Sequence, residues 1–203
     1  HPAKAFSQKR DSSIAVGYGM LKSGMIDGFA SAGNTGAMLV GASYTVNVIP
    51  GVFRPALVAL IPNLDGRNSV ILDVGINPDC KPDVLLQYGI LGSVYAKYVL
   101  GIEKPEVGLL NIGTEESKGS AAVKAAYELL RESPEVSFRG NIEGHDLFTH
   151  DMTDVIICDG FVGNVVLKMA ERFYGIAKTR GINDTFFDRL NFEVVGGTPV
   201  VGI

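Results

Sequence analysis

Four short apolar runs constrain the fold of this chain more than any other feature, because each ends in a loop of glycine and small polar residues. Short runs with β-branched members are typical of strands that a parallel sheet buries on both faces. The sequence therefore predicts four buried strands. They cover residues 25–30, 69–72, 107–110 and 155–158.

Helical patterns accompany these runs. Apolar residues at three- and four-residue steps predict a long amphipathic helix that begins at Pro82 and stops at Gly101. Weaker patterns predict helices over residues 12–21, 120–130 and 165–177. Repeated strand, loop and helix is the pattern of an open α/β sheet with helices on both faces, a three-layer α/β/α arrangement.

One pair of runs differs from the rest. The Asp65-Gly66 turn separates the apolar residues 56–61 from residues 70–72, which predicts a hairpin. The sheet is therefore expected to be mostly parallel with at least one antiparallel strand.

The ends of the chain bear on its domain organisation. The sequence opens at His1 and stops after Ile203, so we expect a single α/β domain over residues 1–203 that is incomplete at both ends. The last long helix runs into residues 178–183 without a recognisable cap, which predicts missing residues near 177–182.

Composition excludes several classes of protein. A net charge of −4 supplies no basic field for nucleic acid. Two cysteines outside any CxxC pair, and three histidines without ligand spacing, predict neither a disulfide framework nor a metal site. No apolar run is long enough to cross a bilayer, so we expect a cytoplasmic protein. We also expect no cofactor.

The candidate site residues follow the strands. Carboxyl ends of parallel strands meet at one edge of a sheet, where ligands bind. Helix N-termini and lysines at such an edge suit a phosphorylated or carboxylated small ligand. The candidates are Asn34, Thr35, Gly36, Asp73, Asn77, Thr114, Lys118, Asn141, Asp159, Asn164 and Lys168.

Several candidates also fit a structural role. Thr35 can cap a helix, Asp73 can accept backbone amides of its turn, and Lys168 can be a surface lysine. The chain contains no GxGxxG fingerprint, no Walker loop and no GxSxG elbow. From the residues alone the reaction stays open.

Taken together, these loops resemble the phosphate acyltransferase (PlsX) family of bacterial phospholipid synthesis. The resemblance covers almost all of residues 1–176 in order, while the opening and closing motifs of the family are absent. The matching stretches are residues 11–13, 31–37, 72–77 with 81–82, 107–116 with 118–119, 140–144, 159–164 with 167–168, and 196–199.

The resemblance implies an enzyme that moves a long-chain fatty acyl group from acyl-acyl carrier protein to inorganic phosphate. It implies a fold similar to phosphotransacetylases and to isocitrate and isopropylmalate dehydrogenases. It further implies a cytoplasmic homodimer at the membrane surface, which passes acyl phosphate to a glycerol-3-phosphate acyltransferase. The helix from Pro82 to Leu100 is the candidate dimer interface, with a purely core role as the alternative.

Roles for the site residues follow from this resemblance. Asn34, Thr35 and Gly36 would cradle phosphate, and Lys118 and Lys168 would neutralise its charge. The other polar residues would bind substrate or orient other groups: Asn141 and Asn164 for the thioester carbonyl or the pantetheine arm, Asn77 and Thr114 for substrate, and Asp73 or Asp159 for lysines or waters.

Three other functions stay open. The first is a phosphotransacetylase that uses a short acyl-CoA, and the second is a non-catalytic, membrane-associated scaffold of lipid enzymes. The third, a dehydrogenase of the related fold, is disfavoured because the dinucleotide fingerprint is missing.

Overall fold

A computed structural model describes residue 6, residues 8–149, residue 151, residues 153–192 and residues 200–201. The described residues fall into two compact units, one up to Pro55 and one from Ala56 to Val201. The single domain over residues 1–203 stays a prediction, since two compact units can belong to one folding domain.

The N-terminal unit contains two helices, α1 (Ser13–Lys22) and α2 (Thr35–Thr45). Asn34 caps α2, because its side-chain oxygen accepts a hydrogen bond from the Ala37 N–H at 3.0 Å. The cap expected at Thr35 therefore belongs to the residue before it, and Thr35 is the first residue of the helix.

The strand predicted at residues 25–30 is wrong. These residues form bends and irregular backbone. The described part of this unit contains no other strand, so the run has no neighbour with which to form a ladder. Instead Phe29 packs its ring against Tyr18 of α1, with 5.1 Å between the centroids.

The second unit is built on a six-stranded sheet in the order β4-β3-β5-β2-β1-β6. The pairs β4–β3, β3–β5 and β5–β2 are parallel, whereas β1 pairs antiparallel with both β2 and β6. The mostly parallel sheet with an antiparallel hairpin is thus confirmed. The strands are β1 (Ala56–Pro62), β2 (Asn68–Leu72), β3 (Glu106–Leu110), β4 (Ser137–Ile142), β5 (Val155–Ile157) and β6 (Val200–Val201).

Strand β4 was not predicted as a strand. Its outer residues alternate between exposed and half-buried positions, which is typical of a strand at the edge of a sheet. The continuous apolar run that marked the other strands is therefore missing here.

Helices cover both faces of the sheet, as predicted. Helices α3 (Pro82–Leu100) and α4 (Ala121–Glu132) pack on one face, and α5 (Gly160–Thr179) contributes Leu167 to the core on the other. Neighbouring residues of one strand, such as Ile71 and Leu72, enter opposite cores because side chains alternate along a strand. Two short elements, a 3-10 turn at Gly144–Asp146 and α6 (Thr185–Asp188), complete the unit.

Helix α3 has the predicted ends. Pro82 is its first residue, and Gly101 ends it in the left-handed conformation, with φ of 74°. Within the helix, Gly92 lies so close to Val155 and Leu72 of the sheet that a Cβ would collide with both side chains. This glycine lets α3 approach strands β5 and β2.

Helix α5 begins five residues earlier than predicted and ends differently. Asp159 caps its start by accepting the Val162 N–H at 2.8 Å. At its end, Gly181 takes the left-handed conformation and the Ile182 N–H reaches the Ala177 carbonyl at 2.9 Å. This is an ordinary glycine cap, so the predicted absence of a cap at this join is wrong.

No helix among the described residues has the length and apolarity that crossing a bilayer requires.

Cys80 is buried in the α3 core, and its thiol contacts the Asn77 carbonyl at 3.5 Å. Burial raises the pKa of this thiol from its ordinary value of 9.0 to about 11. The folded chain therefore holds a proton that the unfolded chain releases between these two pH values. We expect the free energy of unfolding to fall as the pH rises through this window.

The measurement is urea unfolding at several pH values across that window, for the wild type and Cys80→Ala. The free energy of unfolding should fall less steeply with pH in the variant, because the variant lacks the Cys80 thiol. Tyrosines that lose protons in the same pH window are common to both proteins and do not contribute to the difference. Equal slopes in the two proteins would contradict the prediction.

Candidate functional site

Four loops follow the carboxyl ends of the parallel strands β2, β3, β4 and β5, and they lie at the same edge of the sheet. We call this region the carboxyl edge. It comprises residues 73–77, 111–119, 141–143 and 158–164. These residues and their near neighbours include candidates for the chemistry. The four loops differ in how firmly hydrogen bonds hold them.

Asp73 is the most enclosed charged residue of the carboxyl edge, with 0% of its surface exposed. Its carboxylate accepts five hydrogen bonds, all from within the second unit. One oxygen accepts the N–H groups of Leu57 (3.0 Å), Gly75 (3.2 Å) and Ile76 (3.2 Å). The other accepts the backbone N–H of Asn77 at 2.6 Å and its side-chain amide at 3.1 Å. Asp73 thus fastens its own loop to β1.

Asn77 extends this network to two helices. Its side-chain nitrogen also donates to the Tyr88 hydroxyl of α3 at 2.7 Å. Its carbonyl accepts the Gly160 N–H at the start of α5 at 2.8 Å. A Cβ on Gly160 would lie 2.8 Å from the Asp73 carboxylate, so only glycine allows this approach. The loops after β2 and β5 therefore form one rigid assembly.

The remaining candidate residues after β5 are more exposed to solvent than Asp73 and Asn77. Asp159 is half-buried and caps α5 through one carboxylate oxygen. Asn164 is exposed, and its amide nitrogen donates to the Val74 carbonyl at 3.3 Å. Lys168 lies one turn further along α5, where its ammonium group contacts Glu171 at 2.7 Å. Of the three side chains, only that of Asn164 bonds to the loop after β2, whereas those of Asp159 and Lys168 bond within α5.

The loop after β3 carries Thr114 and Lys118, both exposed. Lys118 forms an ion pair with Glu115 at 4.0 Å. Glu116 instead faces α4, where its carboxylate accepts the Tyr127 hydroxyl at 3.2 Å and contacts Arg131 at 3.2 Å. The two glutamates therefore have different surroundings, and only Glu115 accompanies the lysine.

Asn141 joins the end of β4 to this loop. Its side-chain nitrogen donates to the Glu115 carbonyl at 2.9 Å, and the residue is 8% exposed. Its side-chain oxygen is buried and makes no hydrogen bond among the described residues. Asn141 is thus only half satisfied.

The structure therefore brings Asp73, Asn77 and Asn164 into one hydrogen-bonded assembly and places Asp159 beside it, directly before Gly160. It also joins Asn141 to the loop of Thr114 and Lys118. Because β4, β3, β5 and β2 are neighbours in the sheet, both groups belong to the carboxyl edge. The first unit holds the remaining candidates, Asn34, Thr35 and Gly36, at the start of α2. Their roles toward a substrate stay predictions.

Sequence reasoning missed two residues that shape this region. Tyr88 was counted only as part of the apolar face of α3, although a buried tyrosine hydroxyl needs a hydrogen-bond partner. Asn111 was not singled out, yet its side chain accepts the Ile112 N–H at 2.8 Å and donates to the Lys118 carbonyl at 3.2 Å. A polar residue directly after an apolar strand was the available signal for Asn111.

We expect Asp73→Asn to destabilise the second unit by on the order of 3 kcal/mol, because an amide nitrogen would replace an acceptor that faces donors. Asp159→Asn is the matched control, since asparagine caps helices as well as aspartate does. Thermal and urea unfolding of the two variants measure the difference. Equal stability of both variants would show that the Asp73 network contributes little to folding.

Comparison with known proteins identifies the family of this chain. The family described as "Fatty acid synthesis protein" matches residues 1–179. A phosphate acyltransferase of Syntrophomonas wolfei is 44% identical over 207 residues, covering 100% of this chain and 64% of that protein. One from Desulfitobacterium hafniense is 49% identical over 175 residues, covering 86% and 52%. The chain thus spans about half to two thirds of the length of these relatives.

Solved structures support the fold alone. A phosphotransacetylase from Streptococcus pyogenes superposes with a TM-score of 0.63 at 21% identity, over 78% of this chain and 55% of that chain. A branched-chain phosphotransacylase from Enterococcus faecalis gives 0.59 at 15% identity, over 80% and 66%. The predicted phosphotransacetylase-like fold is confirmed.

Four of the stretches that suggested a resemblance in the sequence, residues 72–77, 107–116, 140–144 and 159–164, reach the carboxyl edge of the sheet, and all four fall within the matched residues 1–179. This chain belongs to the fatty acid synthesis protein family.

Proposed function

We propose that the protein transfers a long-chain fatty acyl group from acyl-acyl carrier protein to inorganic phosphate. The observation that carries this proposal is the identity of 44% over the whole chain with a protein named phosphate acyltransferase. The match covers 100% of this chain and therefore extends over every loop of the carboxyl edge. The product is an acyl phosphate, and the free thiol of the carrier leaves.

The reaction needs no nucleophile from the protein. Phosphate is an oxyanion at neutral pH, and one of its oxygens attacks the thioester carbonyl, after which the carbon–sulfur bond breaks and the thiolate takes up a proton. Positioning and stabilisation of the developing oxyanion supply the catalysis. The two cysteines do not compete for this role, because burial raises the pKa of both thiols and keeps them protonated.

Lys118 and Lys168 neutralise the phosphate in this proposal. Both are exposed, and each is paired with a glutamate, Glu115 or Glu171. Exposed ion pairs contribute little to stability, so phosphate can replace the glutamate as the partner of either lysine. In this proposal both ammonium groups, which lie outside the core, exchange their glutamate for phosphate.

The polar residues of the carboxyl edge have three different roles in this proposal. Asp73 and Asn77 hold the loops, since their side chains already bond to groups of the second unit. Asp159 is the better candidate to orient a lysine or a water, because it is half-buried and its hydrogen bond to Val162 uses one oxygen. Thr114 and Asn164 are exposed and bind substrate directly.

Asn34, Thr35 and Gly36 cradle phosphate in this proposal. They begin α2, whose first N–H groups have no partner within the helix and carry partial positive charge. A phosphate oxygen is a suitable acceptor for such groups.

We further propose that the protein is cytoplasmic, acts as a homodimer at the membrane surface and passes acyl phosphate to a glycerol-3-phosphate acyltransferase. The family resemblance supports this, and so do the exposed apolar side chains of Val94, Tyr98 and Val99, which leave part of α3 free for a second copy.

A phosphotransacetylase using acyl-CoA is the second candidate, because the superposed structures have that name. We expect acyl phosphate from long-chain acyl-acyl carrier protein with phosphate, and much less from acetyl-CoA with phosphate. Trapping acyl phosphate with hydroxylamine measures both. A preference for acetyl-CoA would favour the second candidate, and no product from either donor would favour a scaffold.

Lys118→Ala and Lys168→Ala should each lower kcat/KM for phosphate roughly ten-fold or more, because a cation at the developing charge is lost. Lys178→Ala is the matched control. Lys178 is 46% exposed, close to the 45% of Lys118, and also pairs with a carboxylate, but it lies in the last turn of α5, far along the helix from the carboxyl edge. Unchanged kcat/KM in both site variants would remove these lysines from the mechanism.

A further inference from the structure

The side-chain oxygen of Asn141 is a buried acceptor without a donor. The residue is more than nine-tenths buried, and this oxygen has no hydrogen-bond partner among the described residues. Such groups are rare because an unpaired buried acceptor costs free energy, and they call for an explanation. The hydroxyl of Thr153 is the other such atom in the described part of the chain. Thr153 precedes β5 and therefore lies at the opposite edge of the sheet.

The orientation of the Asn141 amide is set by its surroundings. Its nitrogen donates to the Glu115 carbonyl at 2.9 Å. Exchanging nitrogen and oxygen would set two acceptors against each other. The Glu115 carbonyl also accepts the Lys118 N–H at 3.1 Å, so it does not depend on Asn141 alone. The oxygen is therefore the atom left over for another donor.

Unused donors lie in the adjacent loop. The backbone N–H groups from Gly113 to Ser117 donate to no group that the structure describes. The Asn141 side chain is hydrogen-bonded to this loop at the Glu115 carbonyl. The unpaired Asn141 oxygen and the unpaired N–H groups of residues 113–117 therefore belong to the same part of the carboxyl edge. A ligand that satisfies both must offer a donor and an acceptor.

The chemistry of the ligand follows from these groups. A phosphate dianion offers chiefly acceptors, and a thioester carbonyl offers acceptors only. A secondary amide offers one N–H and one carbonyl. The pantetheine arm that carries the acyl thioester contains two such amides, whereas phosphate and the acyl chain contain none.

We propose that the Asn141 side-chain oxygen accepts the N–H of a secondary amide in the thiol arm of the acyl donor. This inference rests on the proposed function. The arm reaches the oxygen when residues 113–117 shift, and four of these five residues are exposed. Asn141 thereby becomes a substrate-binding residue that recognises the carrier arm and makes no contact with phosphate.

The experiment compares three synthetic donors: acyl pantetheine and two analogues, each with a CH2 group in place of one amide N–H. Wild-type protein should use one analogue roughly ten-fold less well than acyl pantetheine, because the buried oxygen then stays unpaired. In Asn141→Leu, kcat/KM for acyl pantetheine should fall, and that discrimination should disappear. Asn141→Ala provides the same comparison if the leucine variant does not fold.

Asn111→Leu is the matched control. Asn111 also ties down this loop, but both of its polar atoms have partners. Its loss should lower kcat/KM for all three donors by one factor and leave their ratio intact. A purely structural role of Asn141 would produce the same uniform loss, and that result would overturn the proposal. Wild-type protein that uses all three donors equally would also overturn it.

The proposed function is tested separately by acyl phosphate formation from acyl-acyl carrier protein in the wild type. If that reaction occurs and the discrimination is absent, only the role of Asn141 fails. If that reaction is absent, the proposed function fails.

Discussion

The buried carboxylate of Asp73 is the interaction on which the second unit depends. Five N–H donors converge on it, from β1 and from its own loop. Asn77 carries the connection onward to Tyr88 of α3 and Gly160 of α5. A carboxylate can leave water only where donors replace its hydration. The loops after β2 and β5 are therefore held in one arrangement.

At the carboxyl edge, the residues that hold the loops differ from the residues proposed to bind substrate. Asp73 and Asn77, which hold loops, are buried and hydrogen-bonded, whereas the lysines are exposed and paired only with exposed or half-buried glutamates. In the proposed function, the phosphate substrate needs cationic partners that can exchange. Exposed lysines beside a rigid frame meet this need, because the frame fixes where the helices begin.

Much of the frame could be predicted. Runs such as residues 107–110 and the Asp65-Gly66 turn indicated strands and a hairpin, because burial on both faces and turn geometry leave local patterns. Prediction was wrong at residues 25–30, where no partner strand exists among the described residues of that unit, and it missed β4, whose edge position needs no continuous apolar run. Strand pairing depends on distant residues, so a local pattern cannot guarantee it.

The sequence by itself determined the family, the class of fold and the list of polar residues that follow the strands, since these depend on local order along the chain. Only the tertiary structure decided which contacts those residues make. Asp73 accepts five hydrogen bonds, Lys168 turns toward Glu171, and Asn141 keeps an unpaired oxygen. The physical reason is that hydrogen bonding and burial depend on groups brought close by folding, such as Leu57 and Asp73, sixteen positions apart in the chain.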